Sequence, residues 1–189
     1  KSSRGASLIY VRTRKSVEKW ALLLQANGIA AIGYHAGLLP DVRNHALEYF
    51  LNEDKPVLVA TIAFGMGIDR KDVGQIIHLN LPSTPESYLQ ESGRAGRDGL
   101  NAKCLVLYSP GDRKRLSWAI NSLSTKKTIG WEISDNCQRI EIANNHLRRM
   151  EAIAEGDICR EQALLFSIGE IVSPCGNCDR CQEEIHKID

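Results

Sequence analysis

A chain of 189 residues holds one ordinary domain, or one domain with a small appendage. With 43% hydrophobic and 25% charged residues it reads as an ordinary soluble globular protein. Its apolar runs, such as residues 56–60, are far too short to cross a bilayer, and no secretion-like core follows the first residues. An intracellular protein with no membrane partner is expected. The formal charge of +1 hides an asymmetry, a net +6 over residues 1–134 against −5 over residues 135–189. A mildly basic first part suits nucleic acid, whose phosphates reward Lys and Arg by releasing counterions.

Ser7-Leu8-Ile9-Tyr10-Val11 predicts a buried parallel strand. Residues 13–26 place Val17, Trp20, Ala21 and Leu24 at helical spacing, and Asn27-Gly28 ends that helix because both tolerate a left-handed cap. Residues 29–34 predict a second strand, and this β-α-β rhythm implies a parallel sheet. His35-Ala36-Gly37 falls just beyond it, where open α/β sheets place ligands. A histidine satisfied by local hydrogen bonds is the plainer reading of His35.

Residues 40–50 predict a helix with Val42, Ala46, Leu47 and Phe50 inward, and residues 56–60 a third strand. Residues 61–69 leave it as a loop bearing Gly65-Met66-Gly67, and residues 75–79 form a fourth strand. Thr84 and Pro85 read as the N-cap and first residue of a helix. Residues 103–108 predict a fifth strand in which Cys104 is a small core residue. A helix over 113–122 and a polar linker over 124–130 follow, so domains are expected at 1–130 and 131–189. From Ser134 to Gly156 a helical stripe carries Cys137, Ile140, Glu141, Asn144, Leu147 and Ile153, with Cys137 packing.

Two patterns carry chemistry. Gln90-Glu91-Ser92-Gly93-Arg94-Ala95-Gly96-Arg97-Asp98-Gly99 sets two guanidinium groups close together, with a glycine before each. An Arg fork is planar, always charged and able to grip two phosphate oxygens, and neighbouring glycines let a bulky ligand approach. A solvated Gly/Arg turn would look similar. The second pattern is Cys175-Gly176-Asn177-Cys178-Asp179-Arg180-Cys181. Three thiolates at this spacing face one point, and zinc wants four ligands in a tetrahedron. Cys159, at the head of a helical segment over 160–167, or His186 in the charged tail would supply the fourth. An iron–sulfur cluster also uses four cysteines. A C-x-x-C redox pair usually opens a helix after a strand, a context absent here.

The chain resembles the RecQ family of DNA helicases, in its second motor lobe and the zinc module after it. The matching residues are 87–99 (the family's motif VI), Val59-Ala60-Thr61-Ile62-Ala63-Phe64-Gly65-Met66-Gly67-Ile68-Asp69 (motif V), Tyr34-His35-Ala36-Gly37-Leu38 and Leu8-Ile9-Tyr10-Val11-Arg12-Thr13-Arg14. The resemblance implies an α/β fold, a RecA-like parallel sheet flanked by helices, followed by a small helical zinc-binding subdomain. It also implies that Cys159 joins Cys175, Cys178 and Cys181 around a structural Zn2+. Arg97 would be the arginine finger toward ATP, with Arg94 supporting it and Gln90, Asp69 and Gly67 lining the nucleotide. Arg12, Thr13, Arg14, His35 and Thr61 would grip DNA, single-stranded or at duplex junctions. Arg139, Arg148 and Arg149 fit weakly a basic helical pair that the family is proposed to use for DNA.

No Walker A pattern and no Asp-Glu-Ala-His-like box occurs, so ATP and Mg2+ are expected to be held by a first lobe that this chain lacks. The chain alone is not expected to hydrolyse ATP efficiently, and it is expected to be a piece of a longer protein that acts with 3′ to 5′ polarity in the cytoplasm, nucleus or nucleoid. A non-catalytic nucleic-acid-binding or regulatory module that kept the fold is the alternative; an RNA helicase is a third reading, with the cysteine array against it.

Overall fold

The computed structural model describes residues 4–62, 64, 69–124 and 132–182. Gly65, Met66, Gly67 and His186, and all but the first residue of the expected linker, lie outside the described residues. By contact the chain divides elsewhere than at residue 130. One unit is Lys1–Asn80 with Gln90–Leu107, the other Leu81–Leu89 with Tyr108–Asp189.

The first unit is built on five parallel strands: β1 (Ala6–Tyr10), β2 (Ala31–Tyr34), β3 (Val57–Ala60), β4 (Val73–His78) and β5 (Lys103–Val106). Their order is β2-β3-β1-β4-β5, and every neighbouring pair is parallel. β1 lies in the middle and is buried along its whole length, which is why its sequence is an apolar run rather than an alternation. Its side chains point alternately to two cores. Leu8 and Tyr10 join Phe50, Leu58, Phe64 and Ile76 on one face. Ile9 joins Val17, Ala21 and Val59 on the other.

Helix α1 (Arg14–Ala26) supplies Val17 and Ala21 to the second core, with Trp20 and Leu24 packed at its margin. Thr13 caps it, its Oγ1 accepting from Ser16 N–H at 3.1 Å. The helix stops at Gly28, whose φ of 77° is the left-handed conformation that the sequence anticipates. Gly28 N–H donates to Gln25 C=O and Ile29 N–H to Leu24 C=O, each at 3.0 Å, closing the cap.

Helix α2 (Pro40–Asn52) sends Ala46 and Phe50 inward with Leu47 beside them, but Val42 is exposed. At 3.6 residues per turn, position 42 falls about a quarter turn from the centre of the stripe set by 46, 47 and 50. Cys104 also departs from expectation. β5 is an edge strand paired only with β4, so Cys104 is exposed as a residue. Its thiol nevertheless turns toward the Ser92 carbonyl at 3.8 Å, and burial of the sulfur pushes its pKa up to about 11.

The second unit is helical, with α4 (Asp112–Ser124), α5 (Glu132–Glu155) and α6 (Arg160–Ser167). Helix α3 (Pro85–Ser92) runs through the division between the units, capped as foreseen by Thr84, whose Oγ1 accepts from Ser87 N–H at 3.0 Å. Leu116, Leu147 and Met150 are buried, and Ser117 of α4 donates to Asn144 of α5 at 2.8 Å. This packing is the physical reason that α4 belongs with α5 in the second unit. The Tyr108 hydroxyl donates to Glu155 at 2.6 Å. Cys137 is exposed, again off the centre of its stripe, and does not pack. Among the described residues no helix is long and apolar enough to cross a membrane.

Gly74 marks an irregularity that the sequence does not announce. The β1–β4 register shifts between Ala6 and Ser7, which pair with Val73 and Gln75, leaving Gly74 as the extra residue of a bulge. A Cβ there would lie 1.7 Å from the Arg4 carbonyl oxygen. Gly74→Ala is therefore expected to cost about 3 kcal/mol or more, because backbone rather than a flexible side chain must move. Urea unfolding checks this, as a lowered midpoint.

Candidate functional site

The arginine turn begins at the end of α3 and runs back beside β4. Gly96 N–H donates to Val73 C=O at 3.0 Å and Asp98 N–H to Lys71 C=O at 3.2 Å, so the turn is stitched to the start of that strand. Arg4 adds a fork onto Asp98, at 2.5 and 3.1 Å. On this platform Arg97 is 38% exposed at its side chain. Its Nε donates to Gly93 C=O at 3.2 Å, and its Nη1 reaches the carboxylate of Asp69 at 3.3 Å. Asp69 is itself 72% exposed, so the pair is weak and easily exchanged. Gln90 is exposed on the last turns of α3.

Arg94 is half-buried, and its Nε is a buried donor with no partner among the described residues. Its guanidinium lies beside the hydroxyl of Tyr10. Burial pushes the Tyr10 pKa up to about 12, although the Arg94 charge pulls it down.

At the opposite ends of the strands lies a second group. The loop after β1 carries Arg12, Thr13 and Arg14, the loop after β2 carries His35, and Thr61 follows β3. Parallel pairing brings these three loops to one edge. Arg12, Thr13 and Arg14 are exposed, whereas Thr61 and His35 are buried. His35 has local partners on both ring nitrogens. Nδ1 accepts from Gly37 N–H at 3.2 Å, which leaves Nε2 to donate to Glu18 at 3.3 Å. Sequence reasoning placed His35 at the right edge but missed Glu18, whose α1 position gives no signal for the pairing.

The cysteine cluster is the third feature. Cys159 caps α6 in sequence, and the sulfurs of Cys159, Cys175, Cys178 and Cys181 all lie within 4.8 Å of one another. The Cys159 sulfur is 3.5 Å from that of Cys175 and 3.8 Å from that of Cys178. A tetrahedral ion with metal–sulfur bonds of about 2.3 Å needs sulfurs about 3.8 Å apart, so the donor set fits such an ion. Backbone amides turn toward the sulfurs: Cys175 N–H donates to Cys159 Sγ at 3.2 Å and Arg160 N–H to Cys178 Sγ at 3.4 Å. Desolvation opposes ionisation of Cys159, but the Cys175 amide and further donors outweigh it, lowering its pKa to about 6.

Arg160 ties this knuckle to α5. Its guanidinium donates to Asp179 at 2.9 Å and to the carbonyls of Ala154 and Gly156 at 3.1 Å each. Gln162 donates to Val172 C=O at 3.0 Å across the returning loop.

Residues 1–99 match the profile of the helicase conserved C-terminal domain, and residues 110–182 match that of the RecQ zinc-binding family. The chain belongs to the RecQ family of helicases, as its C-terminal helicase domain and zinc-binding module.

It is 37% identical to the ATP-dependent DNA helicase RecQ of Haemophilus influenzae, over 100% of this chain and 29% of that protein. Its identity to the Bacillus subtilis RecQ is 36%, over 94% of this chain and 28% of that one. It therefore spans less than a third of the length of these relatives. Among solved structures it resembles the E. coli DEAD-box protein SrmB, bound to RraA, with a TM-score of 0.54 and 26% identity over 65% of this chain and 72% of that one.

Sequence reasoning also missed Arg70. Next to the exposed Asp69, its side chain is only 8% exposed and forks onto Asp72 at 2.6 and 2.9 Å while donating to the carbonyls of Phe50 and Asp54. The Arg70 hydrogen bond is the main reason that the Asp72 carboxyl stays below its ordinary pKa. A lowered folded pKa means that this stabilisation is present above the unfolded value of about 3.9 and is lost as pH falls through the folded one. Asp72→Asn is expected to flatten the acid limb of stability below about pH 4. Urea midpoints measured against pH check this.

Proposed function

We propose that this chain is the part of an ATP-dependent DNA helicase that carries the arginine finger, the grip on the DNA backbone and a structural zinc. The observation that carries the reading is the presentation of Arg97. Its guanidinium stands out from a stitched backbone turn, held by one carbonyl and one exposed carboxylate. Releasing Asp69 costs little, since exposed pairs contribute about 0–1 kcal/mol.

When a preceding lobe brings ATP to this face, Arg97 offsets charge on the transferring phosphoryl group. Arg94 braces it, and its Nε–H, which has no partner among the described residues, suits an added acceptor. Gln90, Asp69 and Gly67 line the nucleotide, Asp69 accepting from a ribose hydroxyl. Mg2+ supplies charge neutralisation on the phosphates and is held by the other lobe.

Along the strand-end edge, Arg12, Thr13 and Arg14 take DNA phosphates, and the first amides of α1 add donors where a helix start favours anions. His35 and Thr61 shape that edge from within. Alternate opening and closing of the two lobes then moves this one along the strand, 3′ to 5′. Zn2+ on Cys159, Cys175, Cys178 and Cys181 holds the knuckle and takes no part in the chemistry.

In the complete protein, Arg97→Ala is expected to lower DNA-stimulated ATP turnover by about a thousandfold, the scale of a lost arginine finger, while nucleotide binding survives. Unchanged turnover overturns the reading. Metal analysis of the purified chain is expected to return about one zinc, as one four-cysteine site holds. Cys178→Ser is expected to lose the metal and fold poorly, which metal content and a thermal melt will show.

A further inference from the structure

Two buried ionisable side chains of the first unit have no part in the reading above. His78 ends β4 and Glu91 lies in the last turn of α3; they are 3% and 8% exposed. His78 Nε2 is 2.6 Å from Glu91 Oε2. A carboxylate taken this far from water is costly, and an apolar pair of the same volume often serves stability as well. The pair therefore calls for a reason other than packing.

Its surroundings supply one. The Tyr10 ring stacks on the imidazole with centroids 5.1 Å apart, and the Tyr10 hydroxyl donates to the Phe64 carbonyl at 3.3 Å. The Arg94 guanidinium reaches the same hydroxyl. One contiguous set of side chains thus joins the end of β1, the motif V loop and the arginine turn. The turn starts on the carboxylate-bearing residue itself: Arg94 N–H donates to Glu91 C=O at 3.4 Å and Ala95 N–H to Ser92 C=O at 3.0 Å. The end of α3 is thus one anchor of the turn that carries Arg97, and the start of β4 is the other.

We propose that His78 and Glu91 are a buried positioning pair that fixes the end of α3 and so aims Arg97 for hydrolysis. Neither residue touches the nucleotide; both act through the turn. This deepens the arginine-finger reading and rests on it. A displacement of about 1 Å at a reacting group costs on the order of a hundredfold in rate, so a modest loss of aim is readable.

The test uses the complete protein with its preceding lobe. Turnover and KM for ATP are measured with saturating single-stranded DNA, nucleotide affinity with a fluorescent ATP analogue, and folding by thermal melt and zinc content. His78→Leu is expected to lower kcat about tenfold, with KM and nucleotide affinity nearly unchanged. His78→Gln, which keeps an N–H donor for Glu91, is expected to recover most of that loss. In an Arg97→Ala background His78→Leu is expected to do nothing further, because groups acting as one unit are not additive.

A normal kcat for His78→Leu overturns the proposal, and so does a full further loss in the Arg97→Ala background. If His78→Leu melts below the assay temperature, Glu91→Gln carries the same expectation, and a normal kcat there overturns it equally. Arg97→Ala alone separates the two ideas. Normal turnover in that variant discards the finger and this pair together, whereas its loss beside a normal His78→Leu discards the pair only.

Discussion

Backbone hydrogen bonding between the arginine turn and the start of β4 is the constraint on which the first unit depends. Gly96 and Asp98 donate to Val73 and Lys71, and the fork of Arg4 on Asp98 closes the same joint. The turn is in effect a short extension of the sheet. A guanidinium carried on such a joint keeps its place without being buried. It stays partly exposed, because the surrounding backbone supplies much of the order.

Arg70 and Arg97 show how one residue type serves opposite ends. Arg70 is almost wholly covered, forks onto Asp72 and caps the chain at Phe50, whose ring it also overlies at 5.7 Å. Arg97 faces an exposed carboxylate across 3.3 Å and can exchange it for another anion at small cost. Arg70 follows directly on Asp69, the partner of Arg97, and burial separates the covered arginine from the exposed one.

Elements whose burial is settled locally were legible in the sequence. β1 reads as a central strand because it is apolar throughout, and Asn27-Gly28 and Thr84-Pro85 read as helix ends because their chemistry fits little else. Val42, Cys104 and Cys137 were misplaced because their exposure depends on helical phase or on which strand becomes the sheet edge. The four cysteines were legible through spacing, and the cluster forms from the same four. Pairings across long separations, such as Arg4 with Asp98 or His78 with Glu91, leave no periodic trace and appear only once the chain is folded.

The knuckle's contacts bear on how it would take up an ion. The path from α6 back to Cys175 is already held by Gln162 on Val172, by Arg160 on Asp179 and by amides aimed at two sulfurs. The polypeptide and a bound ion would thus share the loop-closure entropy of this segment. Because thiol protons must leave for the ion to bind, acid would loosen the ion and the fold of this segment together.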